Sequence, residues 1–130
     1  MSLLRAVLGD AKEIEATALE KEFAALLIEG EDIHHAYKLY RDLIVFTNHR
    51  LILVDKQGIT GKKKEYLSIP YKSIDYFSKE TAGRFDLDAE IKFWVKGRNS
   101  PIKLEFRKDK SVHELFRLLS HYVLNQNQKS

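Results

Sequence analysis

Residues 42–55, which read DLIVFTNHRLILVD, form the stretch of sequence that decides the fold. Two short apolar runs, Leu43–Phe46 and Leu51–Val54, flank the polar residues Thr47–Arg50. Apolar and β-branched runs on either side of a short polar link are typical of a β-hairpin. Asn48 suits the turn because asparagine tolerates a positive φ. The sequence therefore predicts an antiparallel hairpin in the middle of the chain.

The same two-residue period continues on both sides of this hairpin and predicts further strands. In the stretch Leu87–Lys96, apolar side chains alternate with charged ones, apart from Trp94 on the charged face. We therefore expect an antiparallel sheet with a single buried face, which curls until it closes or packs on itself. The predicted strands are Ile33–Tyr40, Leu43–Phe46, Leu51–Asp55, Lys64–Ile69, Ile74–Ser78, Leu87–Lys96 and Ile102–Arg107.

A helical period precedes and follows the strands. Good helix formers fill residues 11–27, and Gly30 follows as a stop signal. From Ser111 to about Asn125, a continuous apolar stripe predicts a helix that plugs the open end of a small barrel. The expected fold class is α+β, mainly β: a seven-stranded antiparallel barrel or sandwich capped by a C-terminal amphipathic helix, with an additional N-terminal helix. We expect an N-terminal helical extension over 1–30, the barrel domain over 31–126 and a disordered tail over 127–130.

Composition limits the possible functions. The 130 residues have the size of one domain and include no cysteine, which excludes disulfides and thiolate metal sites. The 22 basic and 19 acidic residues are intermixed, unlike the clustered charge of nucleic-acid binders, so we expect no nucleic-acid partner. No apolar run is long enough to span a bilayer. We expect a cytoplasmic protein.

Two motifs in order carry a family resemblance. The pattern D-x-x-x-x-T-N-x-R-L-x-x-x-D, followed by I-P-Y-x-S-I, resembles a bacterial pleckstrin-homology (PH)-like domain family over residues from about 30 to 125. The resemblance implies a PH-like barrel, a mostly unknown function and ring-like homo-oligomers, with the N-terminal helix as a family extension. The residues that carry it are Asp42–Asp55, Gly58–Lys63 and Ser68–Ile74.

One departure from the wider PH superfold affects the expected ligand. Phosphoinositide-binding PH domains hold a basic motif in a roomy loop between their first two strands. Here that link is about Tyr40–Leu43, in which Arg41 stands alone beside an aspartate. A single arginine offers too few converging donors for a multiply charged headgroup. Phosphoinositide recognition is therefore not expected there.

Two groups of residues are candidate binding surfaces. Lys62, Lys63 and Lys64 form a basic run that is a candidate contact for an anion or a membrane surface, or simply solvated loop charge. Leu4, Val7 and Leu8 form an apolar helical stripe without a partner in the predicted barrel. Together with Trp94, they form a candidate interface, unless the N-terminal helix covers that tryptophan.

The sequence carries no pattern for catalysis, a cofactor or a metal site. His34 and His35 are adjacent on a predicted strand and should face opposite sides, so they are not expected to share a metal ion. Two hypotheses remain. The first is a non-enzymatic binding and assembly module, homo-oligomeric, acting through protein–protein contacts. The alternative is peripheral binding of anionic lipid or another anionic ligand through Lys62–Lys64.

Overall fold

The computed structural model describes residues 16–39, 42–57, 63–81, 89–106 and 111–126. The chain divides into two compact units on either side of Ser68. The described elements form two antiparallel sheets and two α-helices, which confirms the predicted α+β, mainly β fold class. In chain order they are α1 (Ala16–Phe23), β1 (Ile33–Leu39), β2 (Asp42–Thr47), β3 (Arg50–Gln57), β4 (Lys63–Pro70), a 3-10 turn (Tyr71–Ser73), β5 (Ile74–Thr81), β6 (Ala89–Val95), β7 (Ile102–Phe106) and α2 (Ser111–Gln126).

All seven predicted strands are present, and most of them end close to the predicted residues. The largest difference is in β5, which continues to Thr81 instead of ending at Ser78. The additional residues are polar and exposed, so they lack the apolar alternation from which a strand is recognised. Backbone pairing with β6 extends the strand to this point.

The first sheet has the order β1-β2-β3-β4, and the prediction of a single buried face is wrong for it. Val45 and Ile52 pair across the sheet on one face and are both fully buried. The neighbouring pair, Ile44 and Leu53, lies on the opposite face and is buried as well. The runs LIVF and LILV contain no alternating polar residues, which is the pattern of strands buried on both sides.

Helix α1 covers one of these two faces. Leu19 and Phe23 are buried against a cluster of sheet residues that includes Val45 and Ile52. Part of the N-terminal helical segment therefore packs on its own sheet. The sheet residues of this cluster are Ile33, Ala36, Val45, Ile52 and Val54.

The helix ends earlier than the sequence predicts. It stops at Phe23, and the amides of Leu26 and Leu27 both donate to the Phe23 carbonyl. Beyond the helix, the Leu26 carbonyl accepts a hydrogen bond from Nη2 of Arg50 at 2.6 Å. Gly30 lies further on, in a separate turn in which it takes a φ of +83°. The Glu31 amide closes that turn on the Ile28 carbonyl, so glycine occupies the position that requires positive φ.

The second sheet has the order β5-β6-β7, and here the predicted alternation is confirmed. Ile91 and Phe93 of β6 are fully buried, while Glu90 and Lys92, which alternate with them, are half-buried. Helix α2 begins at Ser111, as predicted, and packs on the 3-10 turn and on β6. The apolar stripe of α2 is buried at Val112, Leu115, Leu119 and Val123.

Candidate interaction surface

Trp94 lies on the outer face of the second sheet, where Tyr76 of the neighbouring strand stacks on it. The two ring centroids are 4.5 Å apart and the ring planes differ by 15°. Trp94 is half-buried, whereas Tyr76 remains 58% exposed. The sequence left Trp94 either under the N-terminal helix or at an interface. The structure adds a third element, an aromatic partner in the same sheet.

A β-bulge brings the two rings together. The register of β5 against β6 shifts between Ile74 and Tyr76, so Tyr76 pairs with Trp94. Asp75, the extra residue, instead forms an ion pair with Lys96 at 3.0 Å. Sequence reasoning missed Tyr76 because a bulge shifts the side-chain alternation by one residue and leaves no signature in the periodicity.

The basic run predicted as an anion contact is only partly available. Lys62 lies outside the described residues, and Lys63 is exposed at the start of β4. Lys64 forms an ion pair within the chain, because its Nζ lies 3.1 Å from the Glu22 carboxylate. The Tyr66 hydroxyl donates to the same carboxylate at 2.5 Å. Burial first, and then this hydrogen bond and the charge of Glu22, raise the pKa of Tyr66 to about 12.

Several predicted residues have no described position. Leu4, Val7 and Leu8 of the candidate interface lie outside the described residues, as does Arg41 in the link between β1 and β2. Of the residues predicted for the candidate interface, Trp94 alone falls in the described part of the chain.

A polar cluster that the sequence did not predict lies at the turn between β2 and β3. We call Glu31, Thr47, Asn48 and Arg50 the Glu31 cluster. Arg50 binds the Glu31 carboxylate with two nitrogens, Nε at 2.8 Å from Oε2 and Nη2 at 2.9 Å from Oε1. The Thr47 hydroxyl donates to the same carboxylate at 2.6 Å, and so does the Ile28 amide at 3.1 Å. The Glu31 side chain is only 1% exposed, so its charge is neutralised inside the protein.

The remaining contacts of the Glu31 cluster tie the hairpin turn to the segment between α1 and β1. The Asn48 side chain donates to the Gly30 carbonyl at 2.9 Å and accepts from the Asp32 amide at 2.8 Å. Burial tends to raise the pKa of the Glu31 carboxyl, but the hydrogen bonds from Arg50, Thr47 and the Ile28 amide outweigh it. The pKa of Glu31 is therefore lowered. Among the described residues, no buried side-chain nitrogen or oxygen lacks a hydrogen-bond partner, which indicates that the cluster has a role in stability.

The structure describes neither a metal site nor a membrane-spanning helix. No group of three or more histidine, aspartate or glutamate residues in the described ranges is placed to hold a metal ion. His34 is the extra residue of a bulge between Ile33 and His35, so strict alternation does not apply to the histidine pair. Neither α1 nor α2 is long and apolar enough to cross a bilayer.

The comparison with protein families decides the classification. The model of the bacterial PH domain matches residues 2–123. The chain belongs to the bacterial PH domain family. Crystal structures support this: the PH domain from Shewanella amazonensis SB2B is 45% identical, with a TM-score of 0.76 over 88% of this chain and 93% of that one. A protein with a PH domain from Shewanella loihica PV-4 is 42% identical, with a TM-score of 0.74 over 85% of this chain and 95% of that one.

This bacterial PH domain is also similar to the uncharacterised protein YjqA of Bacillus subtilis (strain 168). The two are 53% identical over 121 residues, which cover 92% of this chain and 97% of YjqA. The motif that carried the resemblance in the sequence includes Thr47, Asn48 and Arg50, which are three members of the Glu31 cluster. In this bacterial PH domain, that motif holds the hairpin turn in place.

Proposed function

We propose that this bacterial PH domain is a non-enzymatic binding and assembly module that associates with further copies of itself through protein surfaces. The observation that carries the proposal is the stacked pair of Tyr76 and Trp94 on the outer face of the second sheet. A few residues carry most of the binding energy at protein interfaces, and tryptophan and tyrosine are enriched among them. A stacked pair is also held in one orientation, so less conformational entropy is lost on binding.

The polar setting of the pair supports the same function. The outer face around it carries lysine and glutamate side chains, so the aromatic rings form a small apolar area with a charged surround. An apolar centre with a polar rim is the usual anatomy of a transient interface. Tyr76 is one of the few large apolar side chains that are strongly exposed in the described part of the chain.

Light scattering after size exclusion, at several protein concentrations, tests the proposal. We expect the average mass to rise above the monomer mass with concentration, and we expect Trp94→Ser to remain a monomer. Ile28→Ser is the matched control, because Ile28 is 63% exposed but lies in the other unit, and it should associate like the wild type. A wild-type chain that stays monomeric at every concentration overturns the proposal.

Trp94 also provides a direct spectroscopic signal, because it is the only tryptophan in the sequence. Its emission should shift to shorter wavelength as the concentration increases and water is excluded from the ring. Emission that does not change while the mass increases would place the interface elsewhere on the molecule.

The alternative function, binding of anionic lipid through Lys62–Lys64, has weaker support. The Lys64 charge is already paired with Glu22, and attraction of exposed lysines to an anionic surface is weakened by salt. Co-sedimentation with vesicles of anionic phospholipid at low ionic strength tests this alternative. Binding that Lys63→Glu abolishes would favour it over self-association.

A further inference from the structure

Lys79 of β5 lies on the inner side of the second sheet, next to the start of α2. It pairs across the sheet with Ile91, which is fully buried, so Lys79 belongs to the apolar side of its strand. The side chain nevertheless reaches the surface and is exposed. Its Nζ lies 3.0 Å from Nδ1 of His113, in the first turn of α2, and 5.2 Å from the centre of the Phe116 ring. These two contacts place the amine at the protein surface.

The partner of Lys79 is a base. A lysine ammonium group only donates hydrogen bonds, so Nδ1 of His113 accepts and the imidazole is neutral, with its hydrogen on Nε2. Lys64 and Lys96 instead face carboxylates, at 3.1 and 3.0 Å. A carboxylate stabilises the ammonium form, which has no lone pair with which to react. Among the described residues, no carboxylate forms an ion pair with Lys79. Its partner is therefore a group that takes up protons near neutral pH.

We propose that Lys79 is a site of acylation by small acyl phosphates, with His113 as the proton acceptor. One proton of the ammonium group passes to Nδ1 of His113, and the lone pair that this frees attacks the carbonyl carbon of the acyl phosphate. The new N–C bond forms as the C–O bond to phosphate breaks. Phosphate leaves with that electron pair and takes the second proton from the nitrogen. The imidazolium of His113 then releases its proton to water.

The surroundings of the amine favour an anionic acyl donor. Arg117 is exposed and lies one turn beyond His113, and residues four apart are neighbours on a helix surface. A guanidinium group matches the geometry of phosphate oxygens. Glu114 is the nearest acidic residue in the sequence of α2, but it lies about 100° around the helix from His113. Glu80, next to Lys79, faces the other side of the sheet, where Lys92 approaches it to 3.9 Å.

The modified side chain remains compatible with the fold. An acyl-lysine keeps one N–H, which can still donate to Nδ1 of His113. The positive charge over the Phe116 ring is lost, and with it the cation–π contact. A cation–π contact at an exposed position is weak, so we expect the acylated chain to stay folded.

Site-resolved acetylation of the full chain tests the proposal. The protein is incubated with acetyl phosphate at mildly alkaline pH, and initial rates at each lysine are measured by peptide mass spectrometry. Lys63 and Lys103 are the internal references, because both are exposed on strands. We expect Lys79 to react about tenfold faster than either, which is less than a base contributes in a closed active site. In concentrated urea the three rates should become equal.

A histidine substitution tests the proton acceptor. His113→Gln keeps a side-chain hydrogen-bond acceptor for Lys79 but removes the base, so the rate at Lys79 should fall to that of the reference lysines. His121→Gln is the matched control, because His121 is also an exposed histidine of α2. It should leave the preference for Lys79 unchanged.

Two results overturn the proposal. The first is equal acetylation of Lys79 and the reference lysines in the folded wild type. The second is a preference for Lys79 that persists in His113→Gln, because the base is then not needed. Circular dichroism checks that the variant is folded. If it is not, His113→Asn at the same exposed position replaces it and is judged by the same outcomes. Neither result depends on self-association, so the proposed function is tested separately.

Discussion

The two sheets of this bacterial PH domain use their outer surfaces differently. In the first sheet, β2 and β3 are buried on both faces, with α1 over one of them, and the polar groups at the hairpin turn are paired within the chain. The second sheet has one apolar face and one charged face, on which charged side chains and a stacked aromatic pair remain accessible. The difference indicates that the first sheet carries stability, while the second sheet presents the surface available for binding.

The largest expected effect comes from separating the buried ion pair of the first sheet. Arg50→Ala should lower the free energy of unfolding by about 3–5 kcal/mol, because it leaves the Glu31 carboxylate buried without its counter-charge. Urea unfolding followed by circular dichroism measures this. The control from the second sheet is Lys96→Ala, which breaks an exposed ion pair and should cost at most about 1 kcal/mol. Equal effects of the two substitutions would contradict the comparison.

The next prediction compares two aromatic residues in the two units. Phe23→Ala should cost about 3–5 kcal/mol, because Phe23 is fully buried between α1 and the first sheet. Trp94→Ala removes a larger side chain, but one that is half-buried and stacked on an exposed ring, and should cost about 1–2 kcal/mol. If the tryptophan substitution proves the more destabilising of the two in urea, Trp94 is a core residue and its proposed binding role loses support.

The pH dependence of stability should report on Glu31. Its pKa in the folded protein is lowered, so the ionised carboxylate contributes stability above the ordinary value of 4.5. That contribution is lost as the pH falls from there through the folded pKa. Thermal unfolding between pH 7 and pH 3 should therefore give a steeper loss for the wild type than for Glu31→Gln, which has no group to protonate. If the wild type and Glu31→Gln lose stability in parallel as the pH falls, Glu31 is not the source of this pH dependence.

The smallest predicted effect concerns the asparagine of the hairpin turn. Asn48→Ala removes the two hydrogen bonds to Gly30 and Asp32 and should cost about 1–2 kcal/mol. Asn99→Ala, in the exposed turn between β6 and β7, is the matched control and should change stability by less than about 0.5 kcal/mol. An Asn48 substitution as mild as the control would mean that water replaces both bonds without loss.

Most of the fold was predictable from the sequence, because strands and helices are recognised from patterns among residues that are close together in the chain. The strands follow from a two-residue period with turn residues between them, and α2 follows from its apolar stripe. The prediction failed where local pattern carries no information about distant partners. One example is the segment after α1, where the Leu26 carbonyl accepts a hydrogen bond from Arg50, which is 24 residues away in the sequence. Burial of β2 and β3 on both faces was visible only as missing alternation in LIVF and LILV.

The candidate site was less predictable for the same reason. Trp94 was recognised as a large aromatic residue among charged ones, but its partner Tyr76 depends on a bulge that only the strand register reveals. For Lys64, the sequence suggested a charge available for binding. In the structure, Lys64 forms an ion pair with Glu22 of α1.

The Glu31 cluster has a further consequence for hydrogen exchange. The amides of Ile28 and Asp32 belong to no helix or strand, yet each donates to a side chain of the cluster. Their hydrogens should exchange with deuterated solvent only when that side chain moves away, whereas most loop amides exchange at once. These two amides therefore monitor local opening around the hairpin turn, separately from unfolding of the whole domain.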